Sequence, residues 1–279
     1  MADNTTTDII EAAASIPGIT LLNYANGLAF LLNIVTGMKV QKDQSTLSAK
    51  YQTLVTPTRY ALVTIWGLIF LSEFIWTVLQ FLPEYRTSSF VVDIVGYYFV
   101  YACLFQCMWS ICFGYEQIAL SFLVTVAILG SLMPIVYRID TEDYIHSGSF
   151  WVMEFPMELH TGWIMAATLV DLNAVFVSCG ASSKIQTMMA WLSLAVVLFL
   201  GIFVIAAVTG GPPFVIPCVL AWASFAIFKE LEDPKESIAN NFSPDVVLST
   251  KATSKGIVFL ILAAVVVRIG YDWIEQIEW

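Results

Sequence analysis

The sequence predicts an all-α membrane protein, a bundle of about eight transmembrane helices. Hydrophobic residues make up 58% of the 279 residues and charged residues only 12%, with a mean hydropathy of +0.79. This composition is typical of an integral membrane protein and too apolar for a water-soluble domain. Four stretches carry no charged residue, and each is long enough for a helical crossing of roughly 20 residues, whereas membrane β-strands alternate over about 10. They are residues 12–38, 94–115, 118–137 and 185–228.

The individual helices follow from these stretches in order along the chain. The longest stretch is about twice the length of one crossing. It contains Gly210-Gly211-Pro212-Pro213, a helix-ending sequence, and therefore predicts two helices. In the last predicted helix, Arg268 follows the charge-free part and is expected to lie near a helix end. The eight predicted spans are 16–38, 58–82, 92–113, 117–137, 156–179, 185–208, 213–229 and 254–275.

The distribution of Lys and Arg supports eight spans, because these residues accumulate in cytoplasmic loops. Nine of the twelve fall on one side of such a bundle, and only Arg86, Arg138 and Arg268 fall on the other. The pattern predicts that the nine face the cytoplasm and that both chain termini lie on the non-cytoplasmic side. The nine are Lys39, Lys42, Lys50, Arg59, Lys184, Lys229, Lys235, Lys251 and Lys255.

Composition and motifs argue against several classes of function. A net charge of −10 argues against nucleic-acid binding. The sequence contains neither a phosphate-binding glycine loop nor a metalloprotease or serine-hydrolase motif, so it is not expected to be an enzyme. Two histidines and five cysteines without a C-x-x-C spacing do not predict a metal site.

Polar and aromatic residues inside three spans fall on single helical faces at about 100° per residue. Because ionisable side chains avoid lipid, these faces are predicted to point into the bundle. Glu73 and Asp171, the two acidic residues placed near mid-span, are expected to be paired or neutral. The faces carry Trp66, Glu73, Thr77 and Gln80 in the second span; Tyr98, Ala102, Gln106, Trp109 and Phe113 in the third; and His160, Trp163, Ala167 and Asp171 in the fifth.

Two interpretations of these faces remain open. They line a ligand pocket, or they hold helices together through hydrogen bonds and tryptophan packing. His160 and Asp171 would accordingly orient a ligand or bond neighbouring helices. The candidate ligand-binding residues are Trp66, Glu73, Gln106, Trp109, Phe113, His160, Trp163 and Asp171.

Short motifs in three of the spans resemble those of the tryptophan-rich sensory protein family, the TspO or translocator proteins. Trp66, Trp109 and Trp163 stand at the positions of the family's motif tryptophans, whereas Gln106 and Asp171 stand where the family carries Asn. The motifs are "TP" at 56–57 with "YALVTIWGLIF" at 60–70, "FQCMWSICF" at 105–113 and "GWIMAATLVDLN" at 162–173.

The resemblance implies a five-helix core in residues 1–180 and a three-helix membrane extension in residues 181–279. It also implies a cavity between helices for a flat apolar ligand, such as a porphyrin or other tetrapyrrole, a pigment or a lipid. The Trp-Pro-rich first loop of the family is replaced here by "QKDQSTLSAKYQTLVTP". A lid over the pocket is therefore not carried over to this chain. Specificity for sterols is not carried over either, because no Tyr has Lys or Arg two to six positions later.

The function hypothesis is a membrane protein that binds such a ligand for transport or sensing. One alternative is a structural or assembly subunit of a larger membrane complex, with the three extra helices as docking surface. A proton-coupled transporter that uses Glu73 and Asp171 is a third. The expected partners are membrane lipids, a small apolar ligand, and further copies of the chain or other subunits of a membrane complex; nucleic acid is not expected.

The predicted topology can be tested by labelling single cysteines in a background that lacks the five native ones. A membrane-impermeant reagent is expected to reach Ser45→Cys and Ser243→Cys from the cytoplasmic side and Thr5→Cys from the other. Labelling of Ser45→Cys and Ser243→Cys from opposite sides would contradict eight spans.

Overall fold

The computed structural model describes residues 18–141, 150–208 and 214–277, and within these ranges the chain forms helices and no strands. The all-α class is thereby confirmed. Six helices (α1, α2, α4, α5, α6 and α9) are long and apolar enough to cross a membrane. Helices α3 and α7, of 17 and 16 residues, are shorter, so the number of eight crossings stays a prediction. The helices are α1 (Leu21–Lys50), α2 (Arg59–Leu79), α3 (Tyr98–Gly114), α4 (Ile118–Thr141), α5 (Phe150–Ser178), α6 (Ser183–Ala207), α7 (Val215–Glu230), α8 (Glu236–Asn241) and α9 (Pro244–Ile277).

Four predicted boundaries need correction. Helix α5 begins at Phe150 instead of residue 156, and α9 begins at Pro244 instead of residue 254. Helix α1 continues to Lys50 instead of ending at residue 38, because the polar stretch 39–50 contains neither Gly nor Pro. The third predicted span is divided: a π-helical turn at Phe90–Val95 precedes α3, and Gly96, with a φ of +48°, separates them. The break predicted at 210–213 lies outside the described residues.

Five helices form a closed ring in the order α1, α2, α5, α4, α3. Helices α6 and α7 pack on the other side of α5, and α9 packs on both of them. Helix α5 is therefore shared: it contacts α2 and α4 within the ring, and its other side contacts the C-terminal helices α6 and α7. One continuous hydrophobic core includes residues from both predicted parts of the chain, although their division into domains at residue 180 stays a prediction.

The two ends of the bundle differ. At the lysine-rich end, the buried segment 52–57 joins α1 to α2 and contacts α7: Gln52 Nε2 donates to Glu230 Oε1 at 2.7 Å. Lys50 and Tyr51 hydrogen bond to the exposed Glu116 between α3 and α4, and these bonds hold the pKa of Glu116 below its ordinary value. The loops before α2 and after α7 thus share one end. The opposite end, where α2 ends and Arg86 is buried, is called the Arg86 end.

Arg268 on α9 satisfies the carboxyl end of α6. Its guanidinium donates to the backbone oxygens of Ile205 at 2.7 Å and Val208 at 3.2 Å, and it pairs with Asp272 at 2.8 Å. The last carbonyl groups of a helix have no partner within the helix, and a cation also complements the helix dipole there. Arg268 therefore has a structural role, consistent with its expected place near a helix end.

Gly162 lets the backbones of α5 and α7 approach closely. A Cβ atom at this position would lie 3.1 Å from Val219 Cβ and 3.2 Å from the backbone Cα of Ile216. Small residues at such crossings are common in membrane bundles, where packing holds helices together. Gly130 on α4, by contrast, has no atom within 4 Å of an added Cβ.

We expect Gly162→Ala to lower the stability of the bundle by about 1–3 kcal/mol, because the added methyl meets backbone that cannot rotate away. Gly130→Ala is the matched control, expected to be neutral or to stabilise by up to about 1 kcal/mol through helix propensity. Thermal unfolding midpoints in detergent measure both. A Gly162→Ala midpoint equal to that of Gly130→Ala would contradict close packing of α5 on α7.

Candidate functional site

Seven of the eight candidate residues fall into two groups in the structure. The Glu73 group consists of Trp66, Glu73, His160 and Trp163 and joins α2 to α5. The Asp171 group consists of Trp109, Phe113 and Asp171, joined by Thr125, and links α3, α4 and α5. The eighth candidate, Gln106, is buried on α3 one turn from Trp109.

The Glu73 group is built on a buried carboxyl and imidazole. Nδ1 of His160 and Oε1 of Glu73 lie 2.6 Å apart, and both side chains are 0% exposed. Burial of the pair fits the expectation that Glu73 is paired. The other polar atom of each side chain, Glu73 Oε2 and His160 Nε2, has no hydrogen-bond partner among the described residues. The pair therefore has free capacity for one further donor or acceptor on each side.

Two tryptophan rings border this pair. The Trp66 ring meets the imidazole of His160 edge-on at 6.0 Å between centroids and the ring of Trp163 at 6.3 Å. Trp66 is half-buried and also stacks on Phe70 at 5.4 Å, whereas Trp163 is buried with its Nε1 unpartnered. Helical spacing explains the placement, since His160 and Trp163 are three residues apart on α5. The group combines apolar ring surface with unused hydrogen-bonding atoms.

In the Asp171 group, in contrast, one carboxyl oxygen accepts two hydrogen bonds from neighbouring helices. Oδ2 of Asp171 accepts a hydrogen bond from Trp109 Nε1 at 2.8 Å and another from Thr125 Oγ1 at 2.6 Å. Trp109 also stacks on Phe113 at 5.2 Å. One carboxylate thus holds α3 and α4 against α5. Of the two roles proposed for Asp171 from the sequence, the geometry favours the bond between helices.

Several buried polar residues near the Glu73 group were not among the predicted site residues. They lie on α1 and α3, and the side chains of Asn33 and Glu73 both lie close to the thiol of Cys103. Asn26 Nδ2 donates to Gln80 Oε1 at 3.0 Å. The spacing of the asparagines, three and seven residues apart within an apolar span, could have indicated one polar face. The residues concerned are Asn23, Asn26, Asn33 and Cys103.

A cavity of about 20 Å³ lies next to Trp163, between α5, α6 and α7, beneath Val55 and Pro57. Its walls are almost entirely apolar. Ligand pockets for drug-sized molecules measure about 300–1,000 Å³. A porphyrin therefore fits beside Trp163 only if side chains or helices move apart. Among the described residues there is no cluster of three or more His, Cys, Asp or Glu side chains that could hold a metal ion.

Comparison with known proteins gives one match. The model of the TSPO-like protein family matches residues 20–267, which covers most of the chain. No curated protein and no solved structure matches. The matched range runs from the start of α1 into the last part of α9, so it includes both groups of candidate residues and the C-terminal helices.

The structural role of Asp171 predicts different results for two substitutions. Asp171→Asn keeps an oxygen that can accept from both Trp109 and Thr125, so little change in stability is expected. Asp171→Leu leaves Trp109 Nε1 without its partner, while Thr125 Oγ1 keeps the backbone oxygen of Ser121 as an acceptor at 3.0 Å, and is expected to cost about 1–3 kcal/mol. Unfolding midpoints in detergent compare the two variants. Equal loss in both would indicate that the carboxylate charge, not the hydrogen bonds, matters.

Proposed function

This chain belongs to the TSPO-like protein family, and we propose that it binds a flat, largely apolar ligand within the membrane, at the Glu73 group. The observation that carries the proposal is the pair of tryptophan rings beside His160. Indole faces give a planar ligand a large apolar contact at low entropic cost. The unpartnered Glu73 Oε2, His160 Nε2 and Trp163 Nε1 can fix the orientation of one polar edge.

Entry of such a ligand requires a change in the closed ring. Hydrogen bonds from α1 to the α2 region lie at the Arg86 end, where Asn23 and Asn26 bond to the side chain or backbone of Gln80 and the backbone of Arg86. Further along α1, Phe30 contacts Phe99 and Asn33 lies beside Cys103, so this part of α1 packs on α3. We propose that a ligand enters from the lipid between α1 and α2, at the level of the half-buried Trp66.

A tetrapyrrole is the ligand class that the proposal favours, for transport or sensing. Its ring system is flat enough to stack on indole, its pyrrole N–H groups can donate to an unused acceptor atom of Glu73 or His160, and its acceptor groups can accept from Trp163 Nε1. The Asp171 group is not assigned to the ligand, because none of its atoms is among the fully buried polar atoms that lack a partner in the described residues. The proposed ligand site therefore consists of the Glu73 group on α2 and α5.

Titration with a metal-free porphyrin, followed by quenching of tryptophan fluorescence, tests the proposal. Trp66→Leu and Trp163→Leu are each expected to weaken binding by about 1 kcal/mol, roughly fivefold in Kd, through loss of ring stacking. Trp151→Leu is the control, because this ring is 63% exposed at the start of α5. Equal Kd values for folded Trp66→Leu, Trp163→Leu and Trp151→Leu would place the ligand elsewhere.

A further inference from the structure

A row of buried polar side chains extends from the Arg86 end to the middle of the ring. On α2 it consists of Glu73, Thr77 and Gln80, each 7% exposed or less. Asn26 of α1 faces Gln80, and His160 of α5 completes the row beside Glu73. One atom of each has no hydrogen-bond partner among the described residues: Asn26 Oδ1, Gln80 Nε2, Thr77 Oγ1, Glu73 Oε2 and His160 Nε2.

The spacing of the row suits single water molecules. Residues three and four apart on a helix lie about 5–6 Å apart at Cβ. A water molecule that bridges two oxygens through hydrogen bonds of about 2.8 Å spans up to about 5.6 Å. Buried polar groups without a protein partner are commonly satisfied by ordered water. Water between Gln80, Thr77 and Glu73 would thus satisfy the row and connect Glu73 to the Arg86 end.

We infer that Glu73 and His160 form a proton-binding site that exchanges protons with the aqueous phase at the Arg86 end, through water along Thr77 and Gln80. With Nδ1–H of a neutral His160 donating to the Glu73 carboxylate, the pair carries one negative charge. Uptake of one proton from water makes the pair neutral, as imidazole with carboxylic acid. Burial of a net charge is costly, and ionisable residues inside membrane helices mark ion or proton paths.

The groups around the pair are consistent with this assignment. Cys103 on α3 is the titratable side chain beside Glu73, and α1 contributes the amides of Asn26 and Asn33. On α5, Glu154 and Glu158 are buried toward the Arg86 end, where Asp140 of α4 lies close to Glu158. Helices α4, α6 and α7 carry no charged residue within 118–137, 185–207 or 215–228; Cys218 of α7 is half-buried.

On the side of the Glu73–His160 pair that faces the lysine-rich end, the neighbouring buried residues are apolar or aromatic. Next to Glu73 in that direction, the buried positions of α2 are Ile69 and Ile65, and the ring of Trp66 contacts the rings of both His160 and Trp163. Further along, the polar atoms of Trp109 and Thr125 are bonded to Asp171. We therefore assign access from the Arg86 end alone. The site does not require the proposed tetrapyrrole, since the atoms of the row belong to the protein.

Proton binding is tested by infrared difference spectroscopy on the full chain in lipid nanodiscs, recorded as the pH is changed. The carbonyl-stretch band of a buried protonated carboxyl is expected, absent in Glu73→Gln and shifted in its pH dependence in His160→Asn. Asp171→Asn, which keeps the bonds between helices, is expected to retain the band. A carbonyl-stretch region that is unchanged in Glu73→Gln, or no band from the folded wild type at any pH, overturns the inference.

The direction of access is tested with single cysteines in liposomes, in a background without the five native cysteines. A small water-soluble thiol reagent is expected to modify Gln80→Cys and Thr77→Cys from the Arg86 end. Ile69→Cys is the control, because Ile69 is 0% exposed on the same helix on the far side of Glu73; it is expected to react from neither side. Reaction of Thr77→Cys from the lysine-rich end, or equal rates for Thr77→Cys and Ile69→Cys, overturns one-sided access.

Discussion

The bundle is organised around helix α5, whose polar side chains must find partners inside the protein because lipid offers none. Each of three polar residues along this helix bonds to a different part of the bundle. His160 pairs with Glu73 of α2, Asp171 accepts from Trp109 of α3 and Thr125 of α4, and Asn173 donates to Ser193 of α6. An unsatisfied polar group in hydrocarbon costs several kcal/mol, so these bonds fix which helices surround α5 and in which rotation.

Because lipid offers no hydrogen-bond partners, residues that hold helices together can be distinguished from residues that can bind water, a proton or a ligand. Asp171 Oδ2 accepts from both Trp109 and Thr125, so this carboxyl joins α3 and α4 to α5. Glu73 and His160 use one atom each on one another and leave the other free. A fully satisfied network rigidifies a core, whereas a partly satisfied one leaves capacity for water, a proton or a ligand. The functional proposals rest on that difference.

The inward face of each helix could be predicted from the sequence, but the residue contacts between two helices could not. Helical phase placed Glu73 and His160 on inward faces, because each shares a stripe with a tryptophan and a charge cannot face lipid. Which residue of α5 meets Glu73 depends on the tilt and depth of two helices, and periodicity within one helix carries no such information. The asparagines of α1 were not among the predicted site residues, because a neutral amide in an apolar span indicates an inward helix face less strongly than a carboxyl does. The continuation of α1 to Lys50 has a local cause, since no Gly or Pro stops it.

The helices within residues 181–279 provide partners for side chains of α5 that point away from the ring. In a ring of five helices alone, one side of α5 would face lipid, and Asn173 and Gly162 would have no evident purpose there. Here Asn173 Nδ2 donates to Ser193 of α6 at 2.8 Å, and Gly162 makes room for α7. Both residues lie on α5, inside the part that resembles the five-helix core, yet their partners lie beyond it. The α5 sequence is thus adapted to helices on both sides, and the family match through residue 267 extends over the same helices. A ligand or proton at the Glu73 group consequently lies against a helix that the C-terminal helices hold from behind. Because α2 also contacts α7, through the hydrogen bond from Trp222 Nε1 to the backbone oxygen of Ala61, movements that open the ring are expected to come from α1.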